Sequence, residues 1–400
     1  MKPTAALPHT AGVPRVYFDN NATTPLDARV RAAMEPYFGM AHGNPSSAHG
    51  YGRQARQAVE AARSKVATLI GAESQQVIFT GSGTEANNAV IFDAARRAGG
   101  KGHFVLSAFE HPSIDRAIES LEEMGFSATR VPPEANGVVA GERLAAALQP
   151  ETILVCLMLA NNELGTLQPV VEVAALCREK KIPLLCDAVQ AVGKVPVTVT
   201  DLGVDYLVLG AHKFHGPLGA AALWIRPGSA LTGLLVGAPQ EFGFRAGTEN
   251  VPAVVGLGEA SHWAREEMAS RKQHLTGLRD RLETGLEDLA ASRVHCRQAP
   301  RLPHTTNVAF PGWVGRDLML ALDLAGYAVS TGAACGAGDP LPSQTLLALG
   351  LEAEEAIGSL RISFGIENTQ QEVDDFLCVL PRVLEEQRGG SLSLGGGTAR

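Results

Sequence analysis

The stretch LVLGAHKFHGPLGAA (residues 207–221) places a lysine at the end of what reads as a buried strand. Apolar residues and a glycine lead into it, and small residues and glycines follow. Lys213 itself lies between His212 and His215. A lysine removed from water has a lowered pKa and becomes a nucleophilic amine able to form a Schiff base. The alternative is a lysine whose ammonium group reaches solvent.

Around this stretch, short apolar runs alternate with amphipathic segments. The pattern predicts strands at 77–80, 103–107, 152–159, 182–186, 205–209 and 221–225, and helices at 53–70, 114–124 and 169–180. Such alternation is typical of βαβ units and a largely parallel sheet covered on both faces. Residues 258–290 predict one long, polar-faced helix leaving the sheet, and the remainder predicts a smaller α+β region.

Polar groups follow five of the predicted strands, in the segments GSGTEANN, AFEHPS, ANNELG, DAVQ and GAHKFHG. In open parallel sheets, ligands bind beyond the carboxyl ends of the strands. The first of these segments predicts a helix capped by Ser82 or Thr84, and a helix N-terminus with free N–H groups binds phosphate. A capped helix without a ligand is the alternative. The sequence predicts a ligand site at this edge of the sheet.

Asp187 directly follows an apolar run, where a carboxylate is costly unless it has a partner. It is either a helix N-cap or the partner of a buried cation. A phosphate-binding helix, a strand-end aspartate and a desolvated Lys213 together match pyridoxal phosphate. His111 is either a capping residue or a ring that stacks on this cofactor. His212 and His215 have no third ligand at motif spacing, so no metal site is predicted.

Two further candidates lie in the last quarter of the chain. Cys335 lies in STGAACGAGDPLPS (330–343), whose glycines, alanines and prolines predict a mobile loop and an accessible thiol. Arg361, in GSLRISFG (358–365), is predicted on a strand of the smaller region. It is either a bidentate partner for a substrate carboxylate or one half of a structural ion pair.

The composition excludes several classes of protein. The 400 residues carry a net charge of −8 without a basic stripe, which argues against a nucleic-acid partner. The six cysteines include no CxxC pair, which indicates a reducing compartment. No apolar run approaches the ~20 residues of a membrane span, and the N-terminus has no secretory signal, so a cytoplasmic protein without a membrane partner is expected.

These residues resemble the cysteine desulfurases of the class V aminotransferase family, in the branch that serves nitrogen fixation and iron–sulfur cluster assembly. The shared motifs run in order along the chain: VYFDNNATTP, GNPSSAHGYGRQAR, GTEANN, EHPS, NNELG, DAVQAVGK, AHKFHGP, FRAGTENVP, STGAAC and LRISFG. The resemblance implies the fold type I of pyridoxal-phosphate-dependent transferases, like aspartate aminotransferase. It implies a large domain over 16–258, a small domain over 1–15 plus 259–388, and a flexible tail over 389–400.

The resemblance also implies a role for each site residue. Lys213 would carry the cofactor and move protons, Asp187 would hold the pyridinium nitrogen, Gln190 the phenolic oxygen, and His111 would stack on the ring. The phosphate would be bound by Gly83, Thr84 and His212, and by Thr248 of the other subunit of a homodimer. Asn162 and Arg361 would bind the carboxylate of L-cysteine, and Cys335 would take its sulfur for an acceptor protein.

Two features of the resemblance leave questions open. Gly210 stands where the family commonly has a phosphate-binding serine. AHKFHGP and FRAGTENVP also resemble selenocysteine lyases, and a class V aminotransferase without a need for Cys335 is a further alternative.

Overall fold

The computed structural model describes residues 16–233, 235–289, 292–331 and 341–390, and the side chains of these residues up to 387. Within these ranges the strands are β1 (Val16–Tyr17), β2 (Val77–Thr80), β3 (His103–Ser107), β4 (Ser127–Val131), β5 (Thr152–Cys156), β6 (Leu184–Asp187), β7 (Tyr206–Gly210), β8 (Ala221–Ile225), β9 (Arg293–Val294), β10 (Thr305–Ala309), β11 (Tyr327–Ala328) and β12 (Ser359–Ser363).

The α-helices of the same ranges cover both faces of the large sheet and one side of the C-terminal strands. They are α1 (Ala28–Met34), α2 (Gly50–Ile70), α3 (Gly83–Arg97), α4 (Pro112–Glu122), α5 (Gly141–Ala147), α6 (Val170–Lys180), α7 (Val199–Leu202), α8 (Val251–Glu266), α9 (Met268–Glu287), α10 (Gly315–Leu324), α11 (Gln344–Ala348), α12 (Ala353–Ile357) and α13 (Gln370–Gly390).

The central sheet has seven strands in the order β2-β8-β7-β6-β5-β3-β4. β8 is antiparallel to both of its neighbours, and the other pairs are parallel. Since β2 and β7 both run against β8, they share one direction, and the strands other than β8 end at the same edge of the sheet. The predicted α/β fold with a mainly parallel sheet is therefore confirmed.

Each strand of this sheet buries side chains on both faces, as a parallel sheet between two helical layers requires. In β3, Phe104 and Leu106 pack with α3 and α4, whereas Val105 points into the opposite core with α2, α6 and α8. Helix α8 packs closely against α2 at Gly258, where an added Cβ would lie only 2.5 Å from the Cα of Ala62. The hydrophobic cores on the two faces of the sheet therefore fix the positions of its strands.

The C-terminal part forms a second, antiparallel sheet in the order β12-β10-β9 and a parallel pair of β1 with β11. Phe18, Val308 and Phe376 belong to its core, which α9, α10 and α13 cover. The predicted domain bounds stay a prediction. The prediction assigned residues 16–18 to the large domain, but β1 pairs with β11 and Phe18 packs in this second core.

Two sequence predictions of local structure need correction. The single helix expected over 258–290 is two helices, α8 and α9, that meet at Glu267, whose φ of −103° and ψ of 10° interrupt the helical backbone. The strand expected over 152–159 ends at Cys156, although the N–H groups of Leu157 and Leu159 still donate to carbonyls along β6. Strand β4 was not predicted, because it is a half-exposed edge strand with few apolar residues.

Candidate functional site

A cavity of about 250 Å³ opens at the edge of the central sheet where β2, β3, β5, β6 and β7 end. Its walls contain most of the residues that the sequence singled out: Gly83, Thr84, His111, Asn162, Asp187, Gln190, His212, Lys213 and Arg361. These positions span residues 83–361 and come from both sheets. The expected convergence of strand-end residues therefore occurs in one place.

Lys213 ends a short 3₁₀ turn, Ala211–Lys213, directly after β7. Its Nζ donates to the carbonyl oxygens of Asn21 (2.7 Å) and Ala22 (2.8 Å). Desolvation, followed by the charge of Arg361, lowers the pKa of this amine to about 8, against the smaller opposing effect of Asp187. The lysine is held inside the site with a much larger neutral fraction than an exposed lysine has.

Asp187 is the last residue of β6 and is buried at 7% exposure. Its Oδ2 accepts from Asn87 Nδ2 (2.8 Å) and its Oδ1 accepts from the backbone N–H of Val189 (3.0 Å). Both donors are uncharged, and no cation forms an ion pair with this carboxylate in the described part of the chain. A buried carboxylate with this set of donors favours a cationic ligand group beside it.

Helix α3 points its N-terminus at the cavity. Ser82 is its N-cap and accepts from the N–H of Glu85 (3.1 Å), while Gly83 and Thr84 line the cavity. The first N–H groups of a helix have no partner within the helix and suit an anion. His212 lines the same cavity, with its Nδ1 3.2 Å from Thr23 Oγ1. Burial, followed by the charge of Lys213, lowers the pKa of His212 to about 4.

His111 is a helix N-cap and also lines the cavity. It is the N-cap of α4, where its Nδ1 accepts from the N–H of Ser113 (3.1 Å), and its ring also lines the cavity. Desolvation lowers the pKa of the imidazole, although the Asp187 carboxylate acts in the opposite direction. A neutral ring therefore faces the cavity at neutral pH.

Arg361 forms an ion pair and also lines the cavity. Its Nη2 donates to Asp19 Oδ1 (2.7 Å), and this contact is the structural ion pair that the sequence offered as one alternative. Its Nη1 donates to the carbonyl of Asn162 (3.1 Å), and its buried Nε has no hydrogen-bond partner among the described residues. Both Arg361 and Asn162 line the cavity. The two hydrogen bonds fix the guanidinium in position and leave its Nε–H available to a ligand.

Asn21 is a member of the site to which the sequence assigned no role. Its carbonyl accepts from Lys213, its N–H donates to Ser363 Oγ (2.9 Å), and its Nδ2 donates to the carbonyl of Asn162 (3.0 Å). It therefore ties the lysine to both sheets. The one available signal was its place in the shared motif VYFDNNATTP.

Two predicted residues are not in the described cavity. Thr248 is exposed and lines a separate pocket with Arg245 and Glu249, so its expected action on the other subunit stays a prediction. Cys335 lies outside the described residues. The flanking residues that are described adjoin the site: Ser330 pairs with Arg361, and Ser343 Oγ donates to Glu163 (2.5 Å), the neighbour of Asn162.

The two histidines beside Lys213 have protein partners. His215 is buried, its N–H donates to Thr24 Oγ1 (2.7 Å), and its Nδ1 lies 3.0 Å from the carbonyl of Pro25. Across the described ranges, no group of three or more His, Cys, Asp or Glu side chains is arranged to hold a metal. None of the described helices combines the length and apolar character needed to cross a membrane.

The model of the aminotransferase class-V family matches residues 16–376. The chain belongs to this family. It is 41% identical over 375 residues to "Cysteine desulfurase IscS" of Dictyoglomus turgidum, covering 93% of this chain and 95% of that protein. It is also 41% identical over 377 residues to the protein of the same name from Methanosarcina thermophila, covering 94% and 93% of the two chains.

Solved structures agree with this class-V assignment. A structure described as a NifS-like protein superposes with a TM-score of 0.88 at 37% identity, covering 93% of this chain and 99% of the other. A NifS-like protein from Rickettsia africae superposes with a TM-score of 0.84 at 29% identity, covering 93% and 99%. The expected family is thereby confirmed.

Class-V aminotransferase family members are pyridoxal-phosphate enzymes, and the residues of this cavity fit that cofactor. A primary amine of lowered pKa suits its aldehyde, a buried carboxylate without a cation suits its pyridinium nitrogen, and a helix N-terminus suits its phosphate. These three features line one cavity.

Proposed function

We propose that this chain is a cysteine desulfurase that uses pyridoxal phosphate to convert L-cysteine to L-alanine and takes up the sulfur as a persulfide on Cys335. The observation that carries the proposal is the meeting of the Lys213 amine and the Asp187 carboxylate in one cavity beside the N-terminus of α3. The extended similarity to proteins named cysteine desulfurase supports the choice of substrate.

Pyridoxal phosphate, when bound, supplies an aldehyde for amines and a protonated ring that accepts electrons from the substrate carbon. Asp187 would hold the ring nitrogen in its protonated form, and Gln190 would donate to the phenolic oxygen. The neutral imidazole of His111 would lie against the ring. Gly83, Thr84 and His212 would bind the phosphate.

Lys213 would bind the cofactor and then move protons. With a pKa of about 8, roughly a tenth of the amines are uncharged at pH 7, compared with far fewer for a lysine in water. The neutral Nζ would take a proton from the substrate α-carbon. The carbonyls of Asn21 and Ala22 keep this amine at the cavity wall.

Arg361 and Asn162 would bind the substrate carboxylate. The Arg361 guanidinium is buried at 5% exposure, and Asp19 and the Asn162 carbonyl hold two of its nitrogens. The remaining buried Nε would donate to the incoming carboxylate. Fixing the carboxylate would orient the substrate α-carbon toward Lys213.

Cys335 would act as the nucleophile toward sulfur. Its thiolate would attack the sulfur of the bound substrate, so that an S–S bond forms on the enzyme and the substrate C–S bond breaks. The electron pair of that bond would stay on the substrate carbon, which takes up a proton to give alanine. The persulfide sulfur would then pass to an acceptor protein of iron–sulfur cluster or related sulfur metabolism.

We also propose a homodimer in which Thr248 reaches the phosphate bound by the other subunit. The segment that leads to Thr248 exposes Val236 (94%) and Phe242 (53%), and the turn at residues 39–41 exposes Met40 (93%). Apolar side chains at such exposure favour a covering partner. A molar mass of two chains in solution is expected, and a monomer that keeps full activity would contradict this part.

A reducing, cytoplasmic location is part of the same proposal. The cysteines of the described ranges (Cys156, Cys177, Cys186, Cys296 and Cys378) are all free. Free thiols in this number are typical of proteins from reducing compartments.

The proposal is tested by incubating the purified protein with pyridoxal phosphate, L-cysteine and dithiothreitol and measuring alanine and sulfide. We expect equal amounts of both products, and their loss in Cys335→Ser. Cys378→Ser, which changes an exposed cysteine on α13, is the matched control and keeps full activity.

Other outcomes would refute desulfuration. Pyruvate in place of alanine would indicate elimination. Full activity of Cys335→Ser, or turnover that requires a 2-oxo acid, would indicate a transaminase. Activity toward selenocysteine but not cysteine would indicate a selenocysteine lyase.

A further inference from the structure

Lys194 is a buried lysine that the proposed mechanism does not use. It lies four residues after Gln190 in DAVQAVGK and is exposed by only 7%. Its Nζ donates to Gln190 Oε1 at 2.7 Å, and no carboxylate forms an ion pair with it in the described ranges. A buried amine without an acidic partner is costly, so its retention needs a physical reason.

The surroundings of Lys194 increase that cost. It lines a small internal cavity behind Lys213 together with His215, Arg271 and His304, and none of the residues lining this cavity is acidic. Burial, ahead of the charges of Lys213 and Arg361, lowers the pKa of Lys194 well below its usual value. The surroundings of Lys194 therefore disfavour the charged form of its amine. The interaction that the amine makes there is the hydrogen bond to Gln190.

That hydrogen bond determines how the Gln190 amide is oriented. The side-chain Nε2 donates to the carbonyl of Asn21 (2.9 Å), which can only accept, and the side-chain Oε1 accepts from Lys194. Reversal of the amide would place its oxygen against the Asn21 carbonyl. In the observed orientation, the second hydrogen of Nε2 has no acceptor within the described ranges and can bond a group in the cavity, which Gln190 lines.

Lys194 contributes to this orientation independently of Asn21. The Asn21 carbonyl also accepts from Lys213, so it would keep a donor if Gln190 turned away. Gln190 is exposed by only 6%, and within the described ranges its Oε1 accepts from Lys194. Without the amine, Oε1 loses its protein donor, and the reversed or rotated amide becomes competitive.

We propose that Lys194 is a positioning residue that locks the Gln190 amide as a hydrogen-bond donor toward the cavity. The proposal rests on the proposed function, because the group that would receive this hydrogen bond is the phenolic oxygen of pyridoxal phosphate. A donor at that oxygen withdraws negative charge from it. It therefore disfavours proton uptake on the conjugated nitrogen that joins the cofactor to Lys213.

The test is a pH titration of the visible absorbance of the cofactor-loaded protein, compared for wild type, Lys194→Met, Gln190→Leu and the double variant. Lys194→Met keeps the length of the side chain and removes the donor. We expect the midpoint of the absorbance change to rise by roughly 0.5–1 unit, the effect of one hydrogen bond. Lys101→Met, at an exposed lysine before β3, is the control and leaves the midpoint unchanged.

The double variant separates positioning from a general structural effect. If Lys194 acts through Gln190, then Lys194→Met shifts the midpoint in wild type but not in the Gln190→Leu background. An unchanged midpoint in Lys194→Met, or an equal shift in both backgrounds, would overturn the proposal. Circular dichroism monitors folding, and Lys194→Leu, which also lacks a donor, carries the same cycle if Lys194→Met does not fold.

This experiment also distinguishes the two proposals. A wild-type protein that binds no pyridoxal phosphate and shows no visible absorbance would refute the proposed function. A wild-type protein with a normal titration, combined with a silent Lys194→Met, would leave that function intact and refute the positioning role alone.

Discussion

Lys213 is expected to destabilise the cofactor-free protein at neutral pH, so Lys213→Met should make that form more stable. The pKa of the amine falls from 10.5 to about 8 on folding, because the site desolvates it and places Arg361 nearby. Each unit corresponds to about 1.4 kcal/mol, so the charged lysine costs about 3 kcal/mol well below pH 8. The substitution removes that cost.

The sign of the pH dependence follows from the depressed pKa. Between about pH 8 and 10.5, the unfolded chain binds a proton that the folded chain has lost, so the free energy of unfolding of wild type rises with pH there. This stabilisation is complete above pH 10.5 and is lost as the pH falls through about 8. The methionine variant lacks this contribution at every pH.

The assay is urea unfolding of cofactor-free wild type and Lys213→Met at one protein concentration, at pH 7 and pH 10. The loss of the hydrogen bonds to Asn21 and Ala22 offsets about 1–2 kcal/mol, so a net gain of about 1–2 kcal/mol is expected at pH 7. The difference between the two proteins should change by about 2–3 kcal/mol by pH 10. A difference that does not change with pH would refute the reasoning, and Lys101→Met is the control.

Three other substitutions have defined outcomes. Glu241→Gln removes the buried carboxylate that pairs with Arg63 at 2.6 Å and leaves Arg63 with its exposed partner Glu60, so the free energy of unfolding should fall by about 3 kcal/mol in urea unfolding. Glu119→Gln at the exposed pair with Arg116 should change it by less than about 1 kcal/mol, and equal effects would contradict the argument. Gly210→Ser should fold normally, because an added Cβ would lie 3.6 Å from Val189, and should tighten pyridoxal phosphate binding about fivefold in fluorescence titration. Unchanged or weaker binding would show that no hydrogen bond is missing.

The sequence predicted the large sheet well because its strands carry a local signal. β2, β3 and β8 have the predicted bounds, since each is a continuous apolar run buried on both faces. Strand β4 was missed because an edge strand with one half-exposed face has no such run. The break between α8 and α9 was missed because no glycine or proline marks it and Glu267 is fixed there by contacts with the distant Arg29.

The sequence by itself determined which polar residues follow the buried strands of the large sheet. It therefore placed Asp187, His111 and Lys213 at one edge, because parallel strands end together and each of these residues follows its own apolar run. Only the tertiary structure decided the partners of these side chains. Asn21 contacts Lys213, which is 192 residues away in the chain, and Asp19 contacts Arg361, which is 342 residues away. Such contacts form only when the chain folds, so no local sequence pattern predicts them.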